Sequence, residues 1–394
     1  MRTIAVVGTS LAGYSAAQQL RAQGFEGRLV MVGDEVHLPY DRPPLSKDFL
    51  LGKIDQDALA LADQSDIDEL AAEWRTGDPA VRLRCSDASI ELLSGERIGA
   101  DGVVIATGAA PRTLPGTEGI AGVHALRTLE DAARLRDELA GDRRVVVVGA
   151  GFIGAEVASS CAALGLDVTL VEAAELPLVH ALGLRMAAAC VELHGDHGVR
   201  VRLGTGVEQI RSGSDRVTGV RLTSGEELPA DVVVVGIGVS PNTGWLADSG
   251  LTLADGVGCD AGGVTELPNV VAVGDVARVH RPDLGRSVRT EHWTAASSQP
   301  RAAIRNLLAG RTVEHHDDVP YFWSDQYGVR IQFAGTVQPG DEVTVVDGDV
   351  ADRCFLAHYE RGGRLVGVLA FNQPRAFGRA RRQIAKPALD APLS

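Results

Sequence analysis

Short apolar runs that end in glycine recur along the chain, and two of them open the same larger pattern. Residues 4–34 contain, in order, IAVV, the glycine turn GTSLAG, the mixed stretch YSAAQQLRAQG, the apolar run RLVMV and Asp34. Residues 145–172 repeat this order as VVVV, GAGFIG, AEVASSCAALG, LDVTLV and Glu172. A strand, a glycine turn, a helix and a second strand make a βαβ unit. The repeat therefore predicts two doubly wound nucleotide-binding domains.

Other segments of the chain fill in this architecture. VVIATG (103–108), VVVVGIG (232–238) and VVAVGD (270–275) are continuously apolar, which is typical of parallel strands buried on both faces. After about residue 312 the pattern changes to YFWSDQYGVRIQFAG and DEVTVVDGD, which predict short antiparallel strands. RAFGRARRQIAKP then predicts a basic helix. The predicted fold class is α/β, with two Rossmann-like domains and a smaller C-terminal α+β domain.

Composition narrows the class of protein further. A formal net charge of −14 over 394 residues argues against general nucleic-acid binding, since a phosphate backbone would repel most of this surface. No apolar stretch is long enough to cross a bilayer. The cysteines at 85, 161, 190, 259 and 354 are scattered, without a CxxC pair or metal-type spacing. We therefore expect a cytoplasmic protein without a metal site.

The second glycine turn carries the full dinucleotide pattern. Gly149 makes the tight turn, Gly151 lets the backbone approach a pyrophosphate, and Gly154 lets the helix pack closely on the strand. The helix N-terminus then presents free N–H groups to phosphate. Glu172 closes the next strand, where a carboxylate accepts hydrogen bonds from an unmodified ribose and repels a 2′-phosphate. The pattern predicts NADH rather than NADPH.

The first glycine turn departs from this pattern at one position. Gly8 and Gly13 keep the outer places and Asp34 follows at the expected distance, but Ser10 replaces the middle glycine. Its β-carbon crowds a phosphate, whereas its hydroxyl offers a donor to a phosphate oxygen. On these residues alone, a nucleotide site and a purely structural turn both remain open.

LPYDRPPLSKDFL (38–50) adds a longer motif to the two glycine turns, VVIATG, VVAVGD and YFWSDQYG. With these motifs in this order, the chain resembles the NADH-dependent ferredoxin reductases, flavoproteins that feed oxygenases, from about residue 3 to about residue 385. The resemblance implies a glutathione-reductase-like architecture. FAD would lie in 1–110 and 240–312, NAD in 111–239, and an α+β interface domain would occupy 313–394.

The resemblance also implies site residues. Those for FAD are Gly8, Ser10, Ala12, Gly13, Asp34, Arg42, Lys47, Val81, Arg127, Asp275 and Trp293. Those for NAD are Gly149, Gly151, Phe152, Ile153, Gly154, Glu156, Glu172 and Gly238. Lys47 and Glu156 would pair beside the nicotinamide and take part in catalysis. Without the resemblance, Val81 and Trp293 would be core residues, Lys47 a solvated loop lysine and Glu156 a helix-surface glutamate.

The implied activity is transfer of electrons from NADH through FAD to an acidic iron–sulfur ferredoxin that supplies a haem-thiolate monooxygenase or a dioxygenase. No cysteine precedes Cys85, which excludes dithiol chemistry beside the flavin. A rubredoxin or quinone reductase, or a redox-controlled association protein of the apoptosis-inducing-factor type, would use the same scaffold. Arg375, Arg379, Arg381, Arg382 and Lys386 form either a ferredoxin-docking surface or an ordinary solvated helix face.

Overall fold

The computed structural model describes residues 1–84 and 88–384, so that Cys85 and Lys386 lie outside the described residues. The helices are α1 (Leu11–Ala22), α2 (Gln64–Glu69), α3 (Leu129–Glu138), α4 (Phe152–Ala163), α5 (Val179–Asp196), α6 (Trp293–Ala309) and α7 (Pro374–Arg381). The strands up to residue 202 are β1 (Thr3–Val7), β2 (Arg28–Val32), β3 (Ala72–Arg75), β4 (Ala80–Arg84), β5 (Ser89–Leu92), β6 (Arg97–Gly99), β7 (Gly102–Ile105), β8 (Ala109–Pro111), β9 (Val123–His124), β10 (Arg144–Val148), β11 (Asp167–Val171) and β12 (Arg200–Arg202). The later strands are β13 (Val207–Gly213), β14 (Arg216–Leu222), β15 (Glu227–Pro229), β16 (Val232–Val235), β17 (Val239–Pro241), β18 (Val257–Cys259), β19 (Val270–Ala272), β20 (Ala277–Arg281), β21 (Arg286–Arg289), β22 (Tyr321–Gln326), β23 (Val329–Gly335), β24 (Glu342–Asp349), β25 (Cys354–Arg361) and β26 (Arg364–Phe371).

The first parallel sheet draws its strands from distant parts of the chain. Its order is β19-β7-β1-β2-β3, and every pairing is parallel. Helices α1 and α6 pack together on it, through a core that includes Ile4, Leu20 and Ile304. Since β19 and α6 follow the second βαβ unit in sequence, the chain leaves this sheet and later returns to it.

The second parallel sheet contains the repeat of the βαβ pattern. Its order is β12-β11-β10-β16-β9, again with parallel pairings. The valines of β10 and β16 are buried on both faces of the sheet, as their continuous apolar runs predict. A core that includes Val157 and Leu170 joins α4 to this sheet, while the antiparallel ribbon β13-β14-β15 covers its other face.

The C-terminal part forms an antiparallel sheet of order β22-β23-β26-β25-β24, with α7 packed on β26. Its other face packs on α5, where Met186 and Leu193 join Phe355 and Tyr359 in one core. The hydroxyl of Tyr359 donates to the carbonyl of Leu182 at 2.7 Å. This sheet is therefore fixed by apolar and polar contacts to α5, the helix that follows the second βαβ unit.

These observations confirm the α/β class with two Rossmann-like units and a C-terminal sheet domain. The precise boundaries at residues 110, 239 and 312 stay predictions. Among the described residues, no helix combines the length and apolar character needed to cross a membrane.

Candidate functional site

A long groove, called the cleft below, runs across the carboxyl ends of β1, β2 and β7. It consists of two adjoining cavities of about 260 and 410 Å³. Both are lined by Ser10, Arg42, Ala106, Gly108 and Arg127. Ligands of open parallel sheets bind at this edge, because the loops after the strands converge there. The cleft is therefore the candidate site.

The glycines of the first turn are required by the protein's own backbone. Gly8 has φ +110°, and a β-carbon there would lie 2.1 Å from the carbonyl oxygen of Ala106. A β-carbon on Gly13 would lie 1.7 Å from the carbonyl oxygen of Gly8. In the second turn, a β-carbon on Gly149 would lie 2.2 Å from the carbonyl oxygen of Gly236, and one on Gly154 would lie 2.0 Å from that of Gly149. The outer glycines thus bring strand and helix together whether or not a ligand is bound.

The middle position of each turn is different. A β-carbon on Gly151 would meet no atom within 4 Å, and its φ of −69° suits any L-residue. Ser10 occupies the equivalent place before α1 with φ −77°. Its hydroxyl accepts a hydrogen bond from Arg42 Nε at 3.3 Å and does not cap the helix. The serine therefore fits the turn, faces the cleft and keeps its own proton available.

Charged groups cross the middle of the cleft in a chain of contacts. Arg42 donates to Glu35 Oε1 and to the carbonyl of Arg127, both at 2.6 Å. Arg127 in turn pairs with Asp275 at 2.8 Å. Asp275 follows β19 on the first sheet, whereas Arg127 precedes α3. These contacts bring together residues that lie far apart in sequence.

Lys47 and Glu156 form an ion pair at the end of the cleft nearest the second glycine turn. Lys47 follows the single helical turn Pro43–Ser46, and its Nζ lies 3.0 Å from Glu156 Oε1. Glu156 belongs to α4 and is only 6% exposed. It is not a helix-surface glutamate, because α4 turns this face toward the cleft.

Aromatic residues and a histidine line the same end of the cleft. Trp293 begins α6, is 37% exposed and donates from Nε1 to Asp41 at 2.6 Å. Its ring lies 5.9 Å from that of Trp323, which also lines the cleft. Burial lowers the pKa of His292 to about 4, so this imidazole is neutral at pH 7. Its Nδ1 is buried and has no hydrogen-bond partner among the described residues.

The opposite end of the cleft is lined by Asp34 and Trp245. Asp34 closes the first βαβ pattern, as the sequence predicts for a residue that holds a ribose. The indole Nε1 of Trp245 is buried without a hydrogen-bond partner in the described part of the chain. Val81 lies in β4, is 42% exposed and is not among the lining residues, although its neighbours Pro79 and Ala80 are.

The second glycine turn reaches the cleft through α4. Phe152 and Ile153 line the cleft beside Glu156. Glu172 accepts hydrogen bonds from the backbone N–H groups of Ala150 at 2.8 Å and Ala174 at 2.9 Å. Its carboxylate is therefore held against the turn. Gly238 has φ +96° and open space at its β-carbon position, but it does not line the cleft.

The cleft fits a flavin dinucleotide. Its two cavities meet at a glycine turn that opens a helix, and one end lies between aromatic side chains. The buried nitrogens of His292 and Trp245 lack partners among the described residues, and a bound polar molecule would supply them. No described cysteine lines the cleft, and burial raises the pKa of the Cys161 thiol to about 12. The described residues include no group of three or more His, Cys, Asp or Glu arranged to hold a metal.

The sequence motifs contained site residues whose roles they did not indicate. Ser46 lies in RPPLSK and Ser324 in YFWSDQ, and both donate to Glu156. His292 and Trp245 also line the cleft. A motif identifies a segment, whereas only the folded chain determines where each of its side chains points.

Comparison with known proteins agrees with this arrangement. Residues 2–299 match the family described as pyridine nucleotide-disulphide oxidoreductase, and residues 321–392 match the one described as reductase C-terminal. Rhodocoxin reductase of Rhodococcus erythropolis is 39% identical, over 97% of this chain and 89% of the relative. The ferredoxin reductase component of chlorobenzene dioxygenase from a Cupriavidus species is 37% identical, over 98% of this chain and 93% of the relative. The crystal structure of a covalent putidaredoxin reductase–putidaredoxin complex superposes with a TM-score of 0.91 at 34% identity, covering 97% of this chain and 92% of that one.

The chain belongs to the pyridine nucleotide-disulphide oxidoreductase family and, within it, to the NADH-dependent ferredoxin reductases. Its cofactors are FAD and NADH. The family description names a disulphide, but no described cysteine lines the cleft of this chain. Lys47 and Glu156 form an ion pair there.

Proposed function

We propose that this protein takes electrons from NADH through FAD and passes them to an acidic iron–sulfur ferredoxin that supplies a haem-thiolate monooxygenase or a dioxygenase. The observation that carries the proposal is the meeting of two glycine turns at one cleft, with the Lys47–Glu156 pair between them. One turn suits a resident dinucleotide and the other an exchanging one. Relatives named as ferredoxin reductases favour a ferredoxin over rubredoxin or a quinone.

Most of the residues assigned to the FAD site line the cleft, and the proposal gives each of them a role. Bound FAD supplies the ability to accept a hydride and to release its electrons one at a time. The N–H groups that begin α1, with the Ser10 hydroxyl, bind the pyrophosphate, and Asp34 holds the adenosine ribose. Arg42, Arg127 and Asp275 fix the middle of the cofactor. Trp293 contributes a backbone contact at the flavin end, and Val81, whose neighbours Pro79 and Ala80 line the opposite end, contributes a contact to the adenine.

The residues of the second turn bind and orient NADH. Gly149, Gly151 and Gly154 admit the pyrophosphate, with Gly238 beside the nicotinamide. Phe152, Ile153 and Glu156 position the nicotinamide at the cleft and exclude water from it, because α4 presents this face to the cleft. Glu172 is already held by two backbone N–H groups, so it offers its remaining acceptor capacity to a ribose and repels a 2′-phosphate.

The ferredoxin docks, in our proposal, beside α7. The side chains of Arg375, Arg379 and Arg382 are exposed and form no ion pair with a described residue. Arg381 lies over the ring of Tyr321 at 4.5 Å, and Tyr321 stacks at 5.9 Å on Trp323 in the cleft. This surface is therefore both basic and close to the cleft, and an acidic partner would be steered to it. The docking site, the domain boundaries and a cytoplasmic location are parts of the proposal.

An anaerobic titration of the purified protein tests the proposed function. We expect bound flavin in the visible spectrum, its full bleaching by about one equivalent of NADH, and reduction by NADPH at least tenfold slower. An acidic iron–sulfur ferredoxin should then reoxidise the reduced protein. A protein without bound flavin, or one reduced equally well by NADH and NADPH, would contradict the proposal.

A further inference from the structure

Strand β22 connects the C-terminal sheet to the ion pair in the cleft. Successive side chains of a strand point to opposite faces, so Tyr321 and Trp323 share one face while Ser324 lies on the other. Ser324 is fully buried, and its hydroxyl donates to Glu156 Oε1 at 2.7 Å. The strand whose aromatic residues make the contacts toward α7 therefore also holds Glu156, the glutamate proposed to face the nicotinamide.

The carboxylate of Glu156 is held on both oxygens. Oε1 accepts from Ser324 and lies 3.0 Å from Lys47 Nζ, while Oε2 accepts from the Ser46 hydroxyl at 2.5 Å. Gln326 is also buried, and its Nε2 donates to Ser324 Oγ at 3.0 Å. The Ser324 hydroxyl thus accepts from the amide, and its single proton is directed toward Glu156.

Such a fixed carboxylate has a physical consequence. A buried charge is stabilised by each hydrogen bond to it, and these bonds also select one side-chain conformation. Without the Ser324 hydroxyl, Oε1 would be held by Lys47 alone. The carboxylate would then move toward the ammonium group and change the distribution of charge at the cleft.

We propose that Ser324, supported by Gln326, is a positioning residue that fixes the Glu156 carboxylate, so that the C-terminal domain completes the NADH-reactive end of the cleft. The proposal rests on the proposed function, since it assigns a task to Ser324 only if Glu156 faces the nicotinamide. It adds a role for the C-terminal domain besides docking of the electron acceptor.

The contacts between α4 and the C-terminal sheet also provide a matched control. The Ser159 hydroxyl, also on α4, accepts a hydrogen bond from the backbone N–H of Tyr327 at 2.7 Å. It joins α4 to the turn after β22 without touching Glu156. Ser159→Ala therefore removes a hydroxyl from the joint and leaves the carboxylate contacts in place, whereas Ser324→Ala removes one of those contacts.

Stopped-flow reduction by NADH and the midpoint potential of the bound flavin test the proposal. In Ser324→Ala we expect the limiting reduction rate to fall about tenfold, with the NADH dissociation constant changed less than twofold. The potential should shift to a lower value, because a carboxylate that has lost a hydrogen-bond donor keeps more of its negative charge beside the cleft. Ser159→Ala should match the wild type in both measurements, and Ser324→Thr, which keeps the hydroxyl, should recover most of the rate.

Epistasis separates positioning from a merely structural role. In a Glu156→Ala background, adding Ser324→Ala should cause no further loss of rate, because the group on which Ser324 acts is gone. If Ser324→Ala does not load flavin, Ser46→Ala removes the other hydroxyl donor and carries the same expectation. A wild-type rate in Ser324→Ala, or an equal loss with and without Glu156, would overturn this proposal alone. Failure of NADH to reduce the wild type would instead overturn the proposed function.

Discussion

At the scale of single residues, the glycines of the two turns divide into two kinds. Gly13 and Gly154 have no room for a β-carbon, because a backbone oxygen lies within 2.0 Å of its position in each case. Gly151 has open space there and an ordinary φ. Ser10 stands at the equivalent open position. The serine in place of the middle glycine is therefore compatible with the fold, because at this position only a bound ligand would contact the side chain.

This difference predicts opposite behaviour for two alanine variants. Gly13→Ala should lower the free energy of unfolding by roughly 3 kcal/mol or more, because the new methyl group overlaps a backbone oxygen. Gly151→Ala should unfold within about 2 °C of the wild type, yet bind NADH on the order of tenfold more weakly. Thermal unfolding and NADH titration measure the two effects. Equal losses of stability in both variants would contradict the division.

Glu172 predicts the choice of nicotinamide cofactor. Glu172→Gln keeps the shape of the side chain but removes the charge that repels a 2′-phosphate, so the ratio of kcat/KM for NADH over NADPH should fall about tenfold. Glu175→Gln, at an exposed position in the same loop, should leave the ratio unchanged. Steady-state kinetics with ferricyanide as acceptor provide the measurement. An unchanged ratio in Glu172→Gln would exclude this residue as the selector.

At the scale of secondary-structure elements, α7 combines an apolar and a basic face. Ala376, Phe377 and Ala380 are buried against the C-terminal sheet, and Arg375, Arg379 and Arg382 remain exposed. Packing of its apolar face on the sheet is enough to stabilise this helix, so its stability does not require the exposed arginines. The exposed arginines are therefore free to serve a partner, and Arg381, which packs on Tyr321, is less suitable for a test of docking.

Charge reversal on α7 tests the docking surface. The double variant Arg379→Glu/Arg382→Glu should raise the KM for ferredoxin about tenfold at low ionic strength, with less effect at high salt. NADH–ferricyanide turnover should stay at the wild-type value. The double variant Arg185→Glu/Arg311→Glu makes the same change of net charge at exposed positions outside α7. If both double variants raise the KM equally, net charge rather than docking on α7 is responsible.

At the scale of the whole molecule, the joint between α5 and the C-terminal sheet contains a buried histidine. His194 is 2% exposed, and its Nδ1 lies 2.7 Å from the hydroxyl of Tyr327. Burial, with a smaller contribution from His197, lowers the pKa of His194 to about 4. In the unfolded chain a histidine titrates at about 6.5, so the unfolded state takes up this proton first as the pH falls.

Stability should therefore depend on pH through this joint. The contribution of neutral His194 is complete above pH 6.5 and is lost as the pH falls toward 4, with up to about 2 kcal/mol lost at pH 5. Urea unfolding at pH 8 and pH 5 measures the loss, which His194→Gln should reduce. His280→Gln, at an exposed position, should retain the wild-type dependence. An identical pH dependence in His194→Gln and the wild type would contradict the prediction.

The sequence by itself determined the local elements, because the apolar runs and glycine turns require βαβ units of this kind. It also indicated the residues that form the Lys47–Glu156 pair, although that indication came from resemblance of motifs rather than from spacing. The pattern alone did not show that β19 returns to the first sheet, since strand order depends on packing between distant segments.

Only the tertiary structure decided which side chains share the cleft. Ser324 and Glu156 are far apart in sequence and meet because β22 packs on α4. Ser10 faces Arg42 for a similar reason, and Val81 lies beside the cleft rather than in it. Hydrophobic periodicity is a local property of the chain, whereas hydrogen bonds between domains depend on how those domains pack. The elements were therefore readable from the sequence, and the contacts that assemble the site were not.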